Sequence, residues 1–362
     1  MSSRPTGSTS AQPSDITIEE MHTFFGLVIQ MGHDQRHSLK DYWSREEQYC
    51  TSFYSNVMAR DRFFHILWFL HFENNDNPPN HDNPDYDRLW KIWKIFDILN
   101  NKFCELYNPT EQLAVDEVIV LYKGRVVFQQ YIPKKHKRFG IKIYKLCDSL
   151  GYTYDMSMYL DKQRQHATAQ ITVLQLIRRV EGLGKKIIMD NYFTSPALFD
   201  NLFQRKINAC GTDRHDRRGM PRDIGPKSLK MKRGDIVTRV RGPKEHLLER
   251  QAGCVHSDKH ACSPCWRKFH PWIWPGYQTS CCGRLQCIHG VCGQVRQNGQ
   301  QLWNCPQSME VDQETVFHLT DMAILNTFLT HKSCGSKMTH KKFPWNSRSR
   351  ICYSFARRKC DS

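Results

Sequence analysis

Leu113-Ala-Val-Asp-Glu-Val-Ile-Val-Leu-Tyr122 is the stretch on which the reading of this chain turns. Its run of Val, Ile and Leu predicts a strand, turned at its end by Lys123-Gly124-Arg125. Asp116 lies inside it, and a carboxylate among branched apolar residues is costly to bury unless it is paired or holds a cation. Working outward, Ile141 to Cys147 and Tyr152 to Leu160 predict a hairpin around Asp148-Ser-Leu-Gly151. A helix is expected over Ala167 to Val180, closed by Gly182 and Gly184. Lys186-Ile-Ile-Met-Asp190 is a short buried strand opening onto Asn191-Tyr-Phe-Thr-Ser195. Ser195-Pro196 then begins another helix with proline in its first turn, and Ile207 to Thr212 is a further strand.

Towards the N-terminus the period changes from two to 3.6. Thr17-Ile-Glu-Glu20 is a capping box, followed by Met21, Phe24, Phe25, Val28 and Met31 at helical spacing. A second helix is predicted over Arg60 to Phe72, with Phe63, Phe64, Leu67 and Leu70 inward, and Asn74 to Asp85 reads as a loop. Tyr86 to Tyr107 is a long amphipathic helix whose Leu89, Trp90, Trp93, Phe96, Leu99 and Phe103 form a core seam. The expected organisation is a tail (1–15), an α-helical region (16–110), a core (111–245), a Cys-rich segment (246–315), a further helix (316–343) and a basic tail (344–362). The fold class is α/β: a ribonuclease-H-like mixed sheet flanked by helices, preceded by the α-helical region and followed by an irregular Cys-rich segment.

Composition narrows the class of partner. The 362 residues carry 52 Lys and Arg against 36 acidic residues, a formal charge of +16, which suits a polyanion such as nucleic acid or an acidic membrane surface. The first fifteen residues lack the apolar stretch of a signal peptide. The longest apolar run, Phe63 to Phe72, is broken by His65 and His71 and has about half the length needed to span a bilayer. An intracellular chain with reduced cysteines is therefore expected. The 15 cysteines are unevenly placed, eight of them between Cys254 and Cys305.

Asp116 and Asp190 carry the candidate chemistry. Two carboxylates at neighbouring strand positions can hold Mg²⁺ through oxygen ligands and leave coordination positions for phosphate and water. Paired metals about 4 Å apart can activate the attacking water and stabilise the leaving oxygen of a phosphodiester. The residues alone leave a plainer reading open, in which Asp116 is a turn or cap residue and Asp190 caps a strand end.

Ala114-Val-Asp-Glu-Val-Ile-Val-Leu-Tyr-Lys-Gly-Arg125 resembles the first catalytic block of the piggyBac transposases and of the domesticated proteins derived from them. The resemblance continues through Tyr131-Ile-Pro-Lys-Lys-His-Lys-Arg-Phe-Gly-Ile-Lys142, Ile188-Met-Asp-Asn-Tyr-Phe-Thr-Ser195 and Lys232-Arg-Gly-Asp-Ile-Val-Thr-Arg-Val-Arg-Gly242. Upstream it includes Phe63-Phe-His-Ile-Leu-Trp-Phe-Leu-His-Phe-Glu-Asn74, so that it spans residues 16 to 245 with its blocks in order. It implies Asp116 and Asp190 as the first two catalytic metal ligands, Mg²⁺ as cofactor, DNA as partner, a homodimer, and a nuclear location. It implies neither a membrane nor a small-molecule substrate.

The family's third Asp sits in a block like Asp-Tyr-Asn-Arg-His-Met-Gly-Tyr-Val-Asp-Lys-Ser-Asp-Arg-Met, and residues 246 to 315 contain nothing of the kind. Resemblance returns at Val316-Phe-His-Leu-Thr-Asp-Met-Ala-Ile-Leu-Asn326. Gly290 to Gln301 can be encoded so that reading one nucleotide later gives Gly-Tyr-Val-Asp-Lys-Ser-Asp-Arg-Met-Ala-Asn. The codon of the missing Asp then straddles Gly293 and Gln294, neither of which offers a carboxylate. A frame change within the segment is therefore expected. Cys262-Ser-Pro-Cys265 has zinc-ligand spacing, with Cys254, His256, His260, Cys287, His289 and Cys292 nearby, but these make no clean four-ligand set, and zinc is not expected.

The basic residues expected to meet DNA phosphates are Lys123, Arg125, Lys134, Lys135, Lys137, Arg138, Arg214, Arg217 and Arg218. The function expected is DNA binding with impaired cleavage. The rivals are an active cut-and-paste transposase in which Asp312 or Asp321 supplies the third ligand, and a decayed reading frame without function.

Overall fold

The computed structural model describes residues 15–74 apart from 33, 35 and 49, and also 76, 89–121, 130–131, 139–159, 169–212, 217–220, 236–241, 246–251, 265–268 and 311–337. The chain divides into two compact units. One comprises Met1–His71 with Gln301–Pro306 and Met338–Ser362; the other comprises Phe72–Gln300 with Gln307–Lys337.

In the first unit, α1 (Ile18–Met31) starts where the sequence places it. Glu20 N donates to Thr17 Oγ1 at 3.2 Å, and Thr17 N donates to Glu20 Oε2 at 3.1 Å, so both halves of the capping box form. Arg62 of α3 (Arg60–Phe69) also reaches Glu20. Between them lie a 3₁₀ turn (Leu39–Trp43) and the short α2 (Ser52–Val57). The core is aromatic: Phe24 stacks on Phe63 at 4.9 Å, and Trp43 lies 5.0 Å from Phe63. Helix α3 stops at Phe69, three residues before the expected end, because Leu70 turns extended.

The second unit is built on a mixed sheet. Strands β1 (Gln112–Leu121), β3 (Phe139–Asp148), β4 (Thr153–Met158), β5 (Lys186–Met189) and β6 (Asn208–Thr212) lie in the order β4-β3-β1-β5-β6. β3 is antiparallel to both β1 and β4, while β5 runs parallel to β1 and β6 parallel to β5. Three antiparallel strands followed by two parallel ones, with helices flanking the sheet, is the ribonuclease-H-like arrangement. The short β2 (Gln130–Tyr131) extends β3 on its outer side. On the other edge, β9 (Cys265–Lys268) pairs with β6, and β8 (His246–Gln251) and β7 (Ile236–Arg241) follow it. Strands β8 and β9 thus fall inside the Cys-rich segment 246–315, most of which lies outside the described residues.

Residue choice explains the hairpin and the helices. The β3–β4 turn closes on Gly151 at φ +93°, a conformation that suits glycine. Helix α4 (Trp90–Leu106) buries Ile92, Phe96, Asn100 and Phe103 rather than all of its aromatic seam, and Trp93 is only partly covered. Helix α5 (Ala169–Ile177) tightens into a 3₁₀ turn, Arg178–Val180, before Gly182. Ser195 caps α6 (Pro196–Gln204), accepting from Leu198 N at 3.2 Å, with Pro196 in the first turn as expected. Helix α7 (Val311–Ser333) packs against α4 and β1. Its Asn326 is buried, accepts from Thr153 N at 2.9 Å and donates to Thr153 O at 2.8 Å. The helix that follows the Cys-rich segment is therefore hydrogen-bonded to the start of β4. Among the described residues, no helix is long and apolar enough to cross a membrane.

Candidate active site

Pleating decides which residues share a face. On β1, Ala114 is paired with Cys147 of β3 and with Ile188 of β5, and these three buried side chains form a small apolar cluster. Two residues further along β1 and β3 the same face carries Asp116 and Lys145, and Asp190 directly follows the end of β5. Asp116 is 5% exposed and is paired in register with Lys145, which is 1% exposed. The parallel ladder between β1 and β5 runs to Val115 opposite Met189, so the next residues on the two strands are Asp116 and Asp190. Neighbouring strands lie about 4.8 Å apart, which sets the scale of the separation between the two positions.

Local hydrogen bonds set each carboxylate. Asp116 Oδ1 accepts from Glu117 N at 2.8 Å. Asp190 closes an Asx turn: its Oδ1 accepts from Tyr192 N at 3.0 Å. Its carbonyl accepts from both the amide and the hydroxyl of the buried Thr194 at 3.2 Å. Gly211 of β6 makes room for that turn, since a Cβ there would collide with Thr194 Cγ2 and stand 2.8 Å from the Met189 carbonyl oxygen. The guanidinium of Arg217 donates to the carbonyls of Asn191 at 2.6 Å and Tyr192 at 3.3 Å.

Two adjacent carboxylates, one nearly buried and one half-buried, are the oxygen donors a hard divalent cation takes. Among the described residues, no group of three or more His, Cys, Asp or Glu could hold a metal ion. Of the substitute acids, Asp312 at the start of α7 stands 3.8 Å from Lys91 Nζ of α4, and Asp321 is buried on the same helix.

Of the basic residues expected at DNA, Arg217 is half-buried with donors committed to the 190–192 turn, and Arg218 is exposed. Lys123, Arg125, Lys134, Lys135, Lys137, Arg138 and Arg214 lie outside the described residues. So do Gly293, Gln294 and the cysteines and histidines weighed for zinc, except Cys265 in β9.

Sequence reasoning passed over the β3 residues around the site. Lys142 and Tyr144 lie on the face opposite Lys145, and Lys142 Nζ stands 4.6 Å from the Tyr144 ring centroid and 4.2 Å from that of Tyr192. The hydroxyls of Tyr144 and Tyr192 are 3.4 Å apart. Burial first, and then this hydrogen bond, push the Tyr144 hydroxyl well above its ordinary value, so it keeps its proton. The readable signal was the alternation Lys142-Ile-Tyr-Lys145, polar on both faces of a strand that is otherwise apolar.

Comparison with known proteins agrees on one lineage. A family profile described as Transposase IS4 matches residues 5–262. Two human proteins are similar to the chain, PiggyBac transposable element-derived protein 3 and Chimeric ERCC6-PGBD3 protein, each 28% identical over 239 residues and 63% of this chain. The chain spans 39% of the length of the first and 22% of the second. Among solved structures, the piggyBac transposase synaptic complex with hairpin DNA superimposes with a TM-score of 0.84 at 24% identity. The match covers 99% of this chain and 76% of that one.

Proposed function

The chain belongs to the piggyBac-type transposases, and from that premise we propose that it is a transposase-derived DNA-binding protein in which strand cleavage is impaired. The observation that carries this reading is that Asp116 lies in β1 and Asp190 directly follows β5, the strand parallel to it, in a chain whose segment 246–315 lacks the block that would contribute a third Asp. Asp116 and Asp190 would hold the cation. When bound, a divalent cation supplies charge to polarise the phosphodiester and lowers the pKa of an attacking water. The protein's own contribution is to fix the two carboxylates: Asp116 by the strand ladder, Asp190 by its Asx turn and by Thr194. With two carboxylates in place of three, less negative charge offsets repulsion between two cations, and the second is held weakly.

DNA is the partner the charge of +16 favours. The solved synaptic complex holds hairpin DNA, which supports the same partner; a homodimer and a nuclear site of action are part of this reading through the family resemblance. The test is duplex binding by fluorescence anisotropy across a salt series, with Mg²⁺-dependent cleavage followed on the same DNA. Binding that weakens linearly in log–log coordinates as salt rises, with little cleavage, is the expected result. Failure to bind duplex at low salt would overturn the reading.

A further inference from the structure

The turn that carries Asp190 is held by more than its own backbone, and one of its restraints comes from two strands away. Tyr192 is 41% exposed, yet its ring is pinned: it meets Phe193 edge-on at 5.0 Å and faces the ammonium of Lys142 at 4.2 Å. Lys142 belongs to β3, which is separated from β5 by β1, the strand of Asp116. Its ammonium also lies 4.6 Å from the Tyr144 ring, and the two tyrosine hydroxyls meet at 3.4 Å. The strap therefore runs from β3 across β1 to the turn after β5, and so spans the strands that carry the two aspartates.

The charge on Lys142 is not what stability alone would select. The residue is 7% exposed, and lysine is seldom buried to that extent unless paired. A methionine would fill a similar space without the cost of desolvating an ammonium. Between two aromatic faces the ammonium gains a directional attraction that strengthens when water is excluded. That attraction fixes where the Tyr192 ring sits, and Tyr192 N is the donor to Asp190 Oδ1.

We infer that Lys142 is a positioning residue for Asp190, holding the Asp190–Thr194 turn through a cation–π strap to Tyr192. The consequence for metal binding rests on the proposed reading of Asp190 as a cation ligand; the consequence for the turn does not. The test uses the full chain and four variants: Lys142→Met, Lys142→Arg, Tyr192→Leu and Tyr192→Phe. Amide hydrogen exchange of residues 191–194 is measured by mass spectrometry without metal, and Mn²⁺ binding is measured by the loss of the free-ion electron paramagnetic resonance signal.

Lys142→Met and Tyr192→Leu should speed exchange of the turn about tenfold and weaken Mn²⁺ binding by a similar factor, the scale of a desolvated cation–π contact. Lys142→Arg and Tyr192→Phe keep a cation and a ring, and should stay within about twofold of wild type. If Lys142→Met does not fold, the Tyr192→Leu and Tyr192→Phe pair decides. Exchange in Lys142→Met equal to wild type overturns the inference, as does equal loosening in all four variants, which would assign the role to shape alone. If wild type and Asp190→Asn bind Mn²⁺ alike, the cation reading of Asp190 fails, and the exchange data still decide the strap.

Discussion

Asp148 and Asp190 stand at the same kind of place, the end of a strand entering a tight turn, and both accept the amide two residues on through Oδ1. Around Asp148 everything is committed to the fold. It is fully buried, its Oδ1 also accepts from Tyr152 N at 2.9 Å, and Tyr107, the C-cap residue that ends α4, donates to its Oδ2 at 2.8 Å. Tyr107 in turn stacks on Tyr152 at 4.0 Å, so one carboxylate ties the hairpin to the helix behind it. Asp190 is half-buried and follows β5, the strand parallel to that of Asp116. The same local motif thus serves structure in one place and, in our account, ligation in the other, and surroundings rather than local sequence decide which.

The comparison breaks most readily at Asp148. Asp148→Ala removes the acceptor of two amides and a phenol around a fully buried carboxylate, and should cost about 3–5 kcal/mol in guanidinium unfolding. A loss below about 1 kcal/mol would mean that the turn, not the carboxylate, carries the structure. Asn326→Leu comes next, because it removes both hydrogen bonds between α7 and Thr153. A loss of about 2–3 kcal/mol is expected by the same measurement, and an unchanged midpoint would show that α7 docks by its apolar face alone.

A smaller effect, visible only in pH dependence, belongs to Asp155. Burial raises its carboxyl, against the opposing pull of Asn100 Nδ2 at 2.7 Å and of Arg179. A raised folded pKa favours the protonated form in the native state. Wild type should therefore gain stability relative to Asp155→Asn as pH falls through the folded value of this carboxyl, and lose that advantage as pH rises through it. A difference that moves the opposite way between pH 7 and pH 4 would show that Arg179 outweighs burial. The smallest effect on stability is expected from Asp190→Asn. Asparagine keeps Oδ1 for Tyr192 N, so stability should change by less than about 0.5 kcal/mol while Mn²⁺ binding is lost. Retained binding would remove Asp190 from the site.

Much of this arrangement was legible in the sequence, and the reasons differ by element. The alternating apolar run at 113–122, the hairpin around Asp148–Gly151 and the Ser195-Pro196 cap are local signals, and each produced its element within a residue or two. The capping box at Thr17 likewise fixed the start of α1. Helix ends were less legible: α3 shows no side-chain cap, and its stop depends on the backbone of Leu70. In α4 the aromatic seam concealed Asn100, whose polar side chain is buried because Asp155 and Met156 of β4 receive it. No local pattern reveals a partner 55 residues away. Strands β7 to β9 were unread: β7 and β8 pair as a hairpin, and β9 joins them to β6, whose Thr212 lies opposite Cys265 from a distant part of the chain. Asp116 and Asp190 could be singled out by resemblance and by the cost of a carboxylate in an apolar strand, but that their strands are parallel neighbours follows only from the pairing of β1 with β5. The Lys142–Tyr192 strap joins three strands and has no one-dimensional trace.

We propose that two carboxylates remain where cleavage needs three. The most direct test is excision of a marked transposon in cells, comparing this chain with a version whose reading frame is restored between about His246 and Thr315, so that the third Asp returns. Metal positioning contributes several kcal/mol to the transition state, so the restored chain should excise faster by orders of magnitude, while both bind DNA. Equal and robust excision by the two chains would mean that the third Asp is dispensable or supplied from elsewhere, and that this protein is a working transposase.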